Sequence, residues 1–184
     1  ACEALCLKLI DLSEQGFVRM VVPSRGAAPL EQGASAYFHT EWRPLHKPGA
    51  EKLAATKAYA SGPMLAPMYL PFTADIPAKQ TGVESRDIRR FWSAVLAAIV
   101  RGDQADPYYS FFDFLRTQVC VAGFPHRFER APLGPSFIFL DTVVSGRAVC
   151  EIADAFDEFG LDQCHYVLIV DRNGQRLKPR YRQR

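Results

Sequence analysis

Hydrophobic positions in this chain form two kinds of pattern: short unbroken apolar runs and longer stretches with helical spacing. Residues 137–140 form an unbroken run of aromatic and aliphatic side chains after a Gly-Pro pair, which is typical of a buried central strand. Asp141 ends the run, and a loop containing Ser145 and Gly146 follows. Apolar residues then recur at helical spacing over 148–159. The pattern predicts a strand, a loop and a helix in succession.

The same succession is predicted near the start of the chain. Residues 3–15 carry apolar side chains at helical spacing, which predicts an amphipathic first helix. The β-rich run 17–22 then leads into a loop over 23–30, and a helix-compatible segment continues to Tyr37. Two strand, loop, helix units therefore lie far apart in the sequence.

The region between these units predicts two further helices and one marginal strand. Residues 85–101 have a wide apolar face, and residues 106–121 form a second, aromatic-rich helix that begins with Asp-Pro. Residues 64–72 predict a marginal strand, and Pro63, Pro67 and Pro71 confine it to a sheet edge or make it an extended loop. Near the end of the chain, residues 166–170 predict another buried strand.

These elements together predict an α/β fold with a mainly parallel central sheet flanked by helices. We expect a single domain over 1–184, with a helical insertion at about 84–122 and a basic C-terminal tail at about 175–184. The aromatic side chains of the insertion exceed one narrow stripe. We expect the two helices of the insertion to complete the core rather than to form a dimer surface or dock a partner.

Composition narrows the class of protein without naming a function. The net charge of +2 gives no overall signature of nucleic-acid or membrane binding, and no apolar stretch is long enough to cross a bilayer. The start of the chain lacks the pattern of a signal peptide, so we expect a cytoplasmic protein. The five cysteines are scattered along the chain, so we expect reduced or buried thiols. We expect Cys164 and His165 to be core and turn residues rather than a pair of metal ligands.

The loop at 144–148 has the residue types of an anion site. A helix N-terminus presents free backbone N–H groups and the positive end of the helix dipole, which favour phosphate. Gly146 allows close backbone approach, and Ser145 and Arg147 supply a hydroxyl and a guanidinium for charge-assisted hydrogen bonds. In the first unit, Arg25 can bind phosphate oxygens and Gly26 can turn backbone N–H groups toward an anion.

The stretch 137–148 resembles the phosphoribosyl-pyrophosphate (PRPP) motif of type I phosphoribosyltransferases: an apolar strand, acids, small or apolar residues, then Ser or Thr and Gly. The stretch 21–30 is similar to the pyrophosphate loop that follows the first strand in that family, and the order of the two loops also agrees. The family usually has two adjacent acids, whereas Asp141 stands between Leu140 and Thr142. Val144 stands where members acting on hypoxanthine or guanine often carry an acid, which disfavours that branch only.

The resemblance implies a Mg²⁺-dependent transfer of phosphoribose between pyrophosphate and a nucleobase or amine, with PRPP or a nucleoside 5′-phosphate as ligand. It implies that Asp141 and Arg25 are the catalytic residues and that no protein side chains hold the metal, which binds through the ligand's pyrophosphate. The implied PRPP-binding and phosphate-binding residues are Ser24, Arg25, Gly26, Asp141, Thr142, Val143, Val144, Ser145, Gly146, Arg147 and Ala148.

Two further functional expectations concern the mobile loop of the family and the basic C-terminal tail. The family's mobile loop corresponds to part of 38–77, where Arg43, Lys47, Lys52 and Lys57 are candidates to reach pyrophosphate and Trp42 or Tyr181 to stack on a base. The basic tail is expected to be short and frayed; nucleic-acid binding through it is not favoured.

An alternative from a different class remains open. A missing acid and a large helical insertion also fit a phosphoribosyltransferase-fold protein that is catalytically silent and acts as a regulator or as a subunit of a larger protein or nucleic-acid assembly. Such a protein would bind phosphate without turnover. An unrelated nucleotide-binding domain is the last choice, because the sequence contains neither the Gly-x-Gly-x-x-Gly pattern nor the Gly-x-x-x-x-Gly-Lys-Ser/Thr pattern of such domains.

Overall fold

A computed structural model describes residues 1–23, 26–42, 65–72, 83–121, 136–171 and 176–181. In chain order, the elements are α1 (Cys2–Glu14), β1 (Arg19–Val22), α2 (Ala28–Tyr37) with a π-helical turn (Phe38–Trp42), β2 (Ala66–Tyr69), α3 (Val83–Arg101), α4 (Pro107–Val121), β3 (Phe137–Val143), α5 (Arg147–Phe159), β4 (Cys164–Val170) and a 3₁₀ turn (Pro179–Tyr181).

The four strands form one parallel sheet in the order β2-β1-β3-β4. Every described pair is parallel, so the predicted α/β class with a mainly parallel sheet is confirmed. β1 and β3 occupy the two interior places, and β2 lies at one edge, as its proline content predicts.

Helices cover both faces of the sheet, which explains why β3 is apolar at consecutive positions. Ile138 and Leu140 pack with α1 and α2 on one face, in a cluster that includes Leu9. Phe137 and Phe139 point to the opposite face, because side chains alternate along a strand, and pack with α3 and α5. The sheet is therefore the middle of three layers, and the predicted central strand is buried from both sides.

Local capping sets the ends of the helices. The Asp106 carboxylate accepts a hydrogen bond from the Tyr108 N–H at 2.8 Å, so the acid before Pro107 starts α4 as the sequence predicts. Gly160 has φ +72° and ends α5 in the left-handed conformation that glycine adopts without strain.

The structure corrects the prediction that residues 166–170 form a buried strand. β4 is only half-buried along most of its length, and Leu168 and Val170 are exposed. The reason is its place in the sheet: β4 pairs with β3 on one side, and no second neighbour lies among the described residues. An apolar run alone does not distinguish an interior strand from an edge strand.

The two helices of the insertion differ in how far they enter the core. Val95, Leu96 and Ile99 of α3 are buried between the sheet and α5, so the expectation of a core role is confirmed there. The same expectation is wrong for Tyr108, Phe111 and Phe114, which α4 leaves exposed. α4 packs on α3, and among its described side chains Phe112 packs against the core cluster.

No helix in the described part of the chain is long and apolar enough to cross a membrane.

The prediction of reduced cysteines is confirmed for the four whose side chains are described. Free thiols are present at Cys2, Cys6, Cys150 and Cys164, and the side chain of Cys120 lies outside the described residues.

A candidate anion site at the carboxyl edge of the sheet

The carboxyl ends of β1 and β3 lie side by side at the point where the sheet changes its winding direction. The connection after β1 leads to α2 on one face, and the connection after β3 leads to α5 on the other. The two chain segments therefore diverge and leave a crevice between them, which is where open α/β sheets bind ligands. The two loops singled out in the sequence begin at this crevice.

The register of β1 and β3 places Asp141 next to the first of these loops. Met20 pairs with Ile138 and Val21 with Phe139, so two steps further along the same register Pro23 is level with Asp141. Gly26 and Ala27 follow as a turn that leads into α2. Ser24 and Arg25 lie outside the described residues, as do Arg43, Lys47, Lys52 and Lys57.

Asp141 lies inside β3, not after it as the sequence predicts. The strand continues to Val143, because β4 continues to pair with it as far as Val170. Asp141 is 2% exposed and shares the α3 and α5 face of the sheet with Phe137 and Phe139. Its Oδ1 accepts a hydrogen bond from the Thr142 N–H at 2.8 Å. A buried carboxylate needs such donors, since desolvation strongly disfavours its charge.

The loop after β3 leads into a helix start whose N-cap residue is a glycine. Gly146 occupies the N-cap position with φ +83°, which favours glycine, and it makes no side-chain capping hydrogen bond itself. The Arg147 N–H donates to the Ser145 Oγ at 3.4 Å, and the Cys150 N–H donates to the Gly146 carbonyl at 3.1 Å. Val144 is exposed. Like other helix N-termini, the first turn of α5 favours anions, and an anion at this place stays a prediction.

The close approach that Gly146 permits is made by the C-terminal segment. A Cβ at this position would lie 2.8 Å from the Tyr181 Cβ and 3.4 Å from the Leu177 Cδ2. The Lys178 N–H also donates to the Ser145 carbonyl at 3.2 Å, and the Arg180 guanidinium lies 4.7 Å from the centre of the Tyr181 ring. The expectation of a frayed tail is therefore wrong for residues 176–181, which pack on the loop; residues 182–184 lie outside the described part.

Two arginines share one carboxylate beside this loop, and the sequence analysis missed the arrangement. The Arg147 Nε donates to the Glu151 Oε1 at 2.8 Å, one turn along α5. The other Glu151 oxygen accepts a hydrogen bond from an Arg89 guanidinium nitrogen, across from α3. The spacing of Arg147 and Glu151 is a signal that the sequence contains. No such sequence signal points to Arg89, because only the packing of α3 on α5 brings its side chain next to Glu151.

A second carboxylate lies at the start of α2 and was also missed. Glu31 is buried, and its Oε2 accepts a hydrogen bond from the Tyr69 hydroxyl at 2.5 Å. Tyr69 ends β2, so this bond fixes the edge strand to the helix that follows the first loop. The position of Glu31 in the first turn of α2 agrees with the preference of acidic side chains for helix N-termini.

A cleft of about 500 Å³ lies beside the loop, between β4, α5 and the C-terminal segment. Its walls are mainly apolar, and Asp141 is not among them. The residues that connect it to the loop and the segment are Val143, Gly146, Val149, Leu177 and Tyr181.

Metal ligands are not grouped in the described residues, where no cluster of three His, Cys, Asp or Glu side chains occurs. Cys164 belongs to the cluster on the α5 face, whereas the ring of His165 lies 5.5 Å from that of Phe17, between ring centres. The two side chains point to opposite faces of β4, because they are consecutive residues of a strand. Cys164 therefore packs against the core, as expected, whereas His165 is a strand residue and not the turn residue that the sequence predicts.

Comparison of the chain with protein-family models, with curated proteins and with solved structures gave no match.

Proposed function

We propose that this protein binds PRPP or a nucleoside 5′-phosphate in the crevice between β1 and β3 and transfers phosphoribose with Mg²⁺, in the manner of a type I phosphoribosyltransferase. The observation that carries the proposal is the parallel pairing of β1 with β3. This pairing brings two strand, loop, helix units that are distant in the sequence to one edge of the sheet. Both loops also carry the residue types that phosphate requires.

Each group in the crevice has a role in this proposal. The Asp141 carboxylate accepts hydrogen bonds from the ribose hydroxyls, and the backbone of 144–148 with the Ser145 hydroxyl and the Arg147 guanidinium binds the 5′-phosphate. The Arg25–Gly26 loop holds the pyrophosphate. Mg²⁺, when bound with the ligand, would neutralise the charge of the leaving pyrophosphate, and the proposal assigns it no protein side-chain ligands.

The reaction asks the protein mainly to bind and to orient. Pyrophosphate leaves the anomeric carbon as a nucleobase or amine nitrogen forms the new bond, and positive charge develops on the ribose ring. A buried carboxylate near the ribose and cationic groups around the leaving phosphates stabilise that charge distribution. Asp141 is suited to this work because the strand on either side of it fixes its position.

One observation favours a second candidate, a binding protein of the same fold without turnover. Leu177 and Tyr181 pack against Gly146, where the proposed 5′-phosphate would approach. A segment in this position suits a regulator whose tail responds to the ligand. The two candidates differ in one product: an enzyme releases pyrophosphate from PRPP when an acceptor is present, and a regulator does not.

Calorimetric titration of PRPP with Mg²⁺ tests the shared binding site. We expect saturable binding by the natural protein and a loss of about 1–3 kcal/mol in binding free energy for Asp141→Asn, which keeps the shape but removes the charge of the acceptor. Asp157→Asn, on an exposed part of α5, is the matched control and should bind normally.

The outcomes separate the candidates. Equal binding by the natural protein and Asp141→Asn would remove Asp141 from the site, and the absence of any binding would overturn the proposal. Where binding is present, an assay of pyrophosphate release with a panel of nucleobases and amines distinguishes the enzyme from the regulator.

A further inference from the structure

The group of charges formed by Arg89, Glu151 and Arg147 joins α3 to the start of α5. One carboxylate serves two guanidinium groups, each bonded to a different oxygen of Glu151. The three side chains are 11%, 21% and 29% exposed, respectively. With two cations and one anion, the group carries a net charge of +1 in a partly desolvated place.

The pairing with Glu151 does not satisfy Arg89 completely. Its Nε is buried and has no hydrogen-bond partner among the described residues. A guanidinium usually binds a carboxylate through two parallel hydrogen bonds, but here the second Glu151 oxygen is bonded to Arg147. A buried donor without a partner costs free energy, and a negative ligand would satisfy it. The unused donor of Arg89 therefore indicates a place suited to a negative ligand.

A second ion pair joins the same two helices and shows what a purely structural link looks like. Arg90 donates through its Nε to the Glu158 Oε2 at 3.1 Å and through a second nitrogen to the other oxygen. This pair is bidentate and neutral overall. It is also well exposed, at 59% for Arg90 and 46% for Glu158, and lies further along α5 from the loop. It holds the helices together without adding charge near the anion site.

We propose that Arg89 is a positioning residue of the anion site. With Glu151, it sets the net charge around Arg147 and the orientation of the Arg147 guanidinium. Glu151 draws the Arg147 guanidinium along α5. Arg89 shares the Glu151 carboxylate, weakens that attraction and restores the positive charge that Glu151 removes. α3 is then part of the binding apparatus as well as of the core. This inference rests on the proposed function, since it assigns the ligand phosphate to the start of α5.

The proposal predicts an order of affinities that follows the net charge of the group. Arg89→Met lowers the charge from +1 to 0, Glu151→Gln raises it to +2, and the double variant returns it to +1. Affinity for PRPP should therefore be highest in Glu151→Gln, similar in the natural protein and the double variant, and lowest in Arg89→Met. Each step should change the dissociation constant about threefold to tenfold, the effect of one charge near a partly screened site, and should shrink at high salt.

The test is calorimetric titration of PRPP with Mg²⁺ into the four proteins, at two salt concentrations, with melting temperatures measured in parallel. Arg90→Met and Glu158→Gln are the matched controls and should leave affinity unchanged. A merely structural role for Arg89 predicts that both single variants bind more weakly and that the double variant does not recover.

Each outcome has a distinct meaning. The charge-ordered series supports the inference, and any other order in proteins that melt normally overturns it while leaving the proposed function in place. If Arg89→Met does not fold, Arg89→Lys replaces it: the lysine keeps the charge but not the fork, so affinity should stay within about threefold of the natural protein. A larger loss overturns the inference. No binding by the natural protein overturns this inference and the proposed function together.

Discussion

At the scale of single residues, Gly146 is the position where the backbone conformation and a close contact impose the same requirement. Its φ of +83° disfavours any side chain, and a Cβ would lie 2.8 Å from the Tyr181 Cβ, closer than such atoms approach. Gly160 has a similar φ, but a Cβ there would meet no atom within 4 Å. The two glycines therefore separate the cost of backbone strain from that of the lost contact.

We expect Gly160→Ala to lower the free energy of unfolding by about 1 kcal/mol, the cost of a left-handed alanine. Gly146→Ala should cost about 2–4 kcal/mol, because the C-terminal segment must also move. Urea denaturation of both variants measures the difference. Equal losses would mean that Tyr181 does not rest on Gly146 in solution.

Cys6 offers a test of the core through pH. Burial between α1 and the sheet raises the pKa of its thiol from about 9 to about 11. The folded protein therefore keeps a proton that the unfolded chain releases, and stability that is fully present below pH 9 is lost as pH rises toward 11. Burial also raises the pKa of Cys164 and of Tyr166, which adds to the alkaline loss.

We expect Cys6→Ala to reduce, but not abolish, the fall in unfolding free energy between pH 9 and 11. The quantity to compare is the slope against pH from urea denaturation, because the smaller side chain shifts the absolute stability at every pH. An unchanged slope in the variant would show that the Cys6 thiol does not titrate differently in the folded and unfolded states.

The sequence alone singles out Ser145 and Gly146 as candidates, because the conformational freedom of glycine and the chemistry of a hydroxyl are properties of the residue itself. It holds no signal for the ion pair of Arg89 with Glu151 or for the contact of Tyr181 with Gly146. Both depend on which elements pack together, and no local pattern contains that information. The position of Asp141 was predicted only in part: its place in the crevice follows from the strand, but the strand's true end depends on the length of β4.

At the scale of elements, α3 and α4 show how one aromatic-rich region serves both core and surface. The Phe91 ring contacts Trp92, Tyr108 and Phe111 edge to face, at centre distances of 5.4, 5.7 and 5.5 Å. Phe91 is therefore the centre of the contact between the two helices, although it is partly exposed. Phe114 lies one turn further along α4 and is 59% exposed.

We expect Phe91→Ala to lower the free energy of unfolding by about 1–3 kcal/mol, because it removes three ring contacts. Phe114→Ser should change it by no more than about 0.5 kcal/mol, as for an ordinary surface position. Thermal or urea unfolding of the two variants checks this contrast. A large loss in Phe114→Ser would show that its ring is covered in solution.

Element types were predictable here because helical spacing and short apolar runs are local. The helix predicted over 85–101 corresponds to α3, and the one over 106–121 corresponds to α4. The burial of β4 was not predictable, since Val167–Val170 has the composition of an interior strand yet lies at the edge of the described sheet. Neighbours decide burial, and neighbours are a tertiary property.

At the scale of the whole molecule, two sequence patterns were enough to predict a parallel α/β fold but not the order of its strands. Each strand, loop, helix unit implies a crossover to a parallel neighbour. Whether β3 is added beside β2 or beside β1 depends on the free energies of whole-chain packing. The structure places it beside β1, and only this order creates the crevice between the two loops.

The pairing of β1 with β3 also determines how the chain must fold. β1 pairs with β2 on one side, but its partner on the other side, β3, follows only after more than half of the chain, since Met20 pairs with Ile138. Such non-local contacts slow folding, because the entropy of closing a long loop is lost before any pairing compensates it. During synthesis, one edge of β1 is unpaired until β3 emerges, and an open strand edge is prone to aggregation. The pairing that assembles the proposed ligand site thus also leaves one strand edge of the newly made chain open to aggregation until β3 has been synthesised.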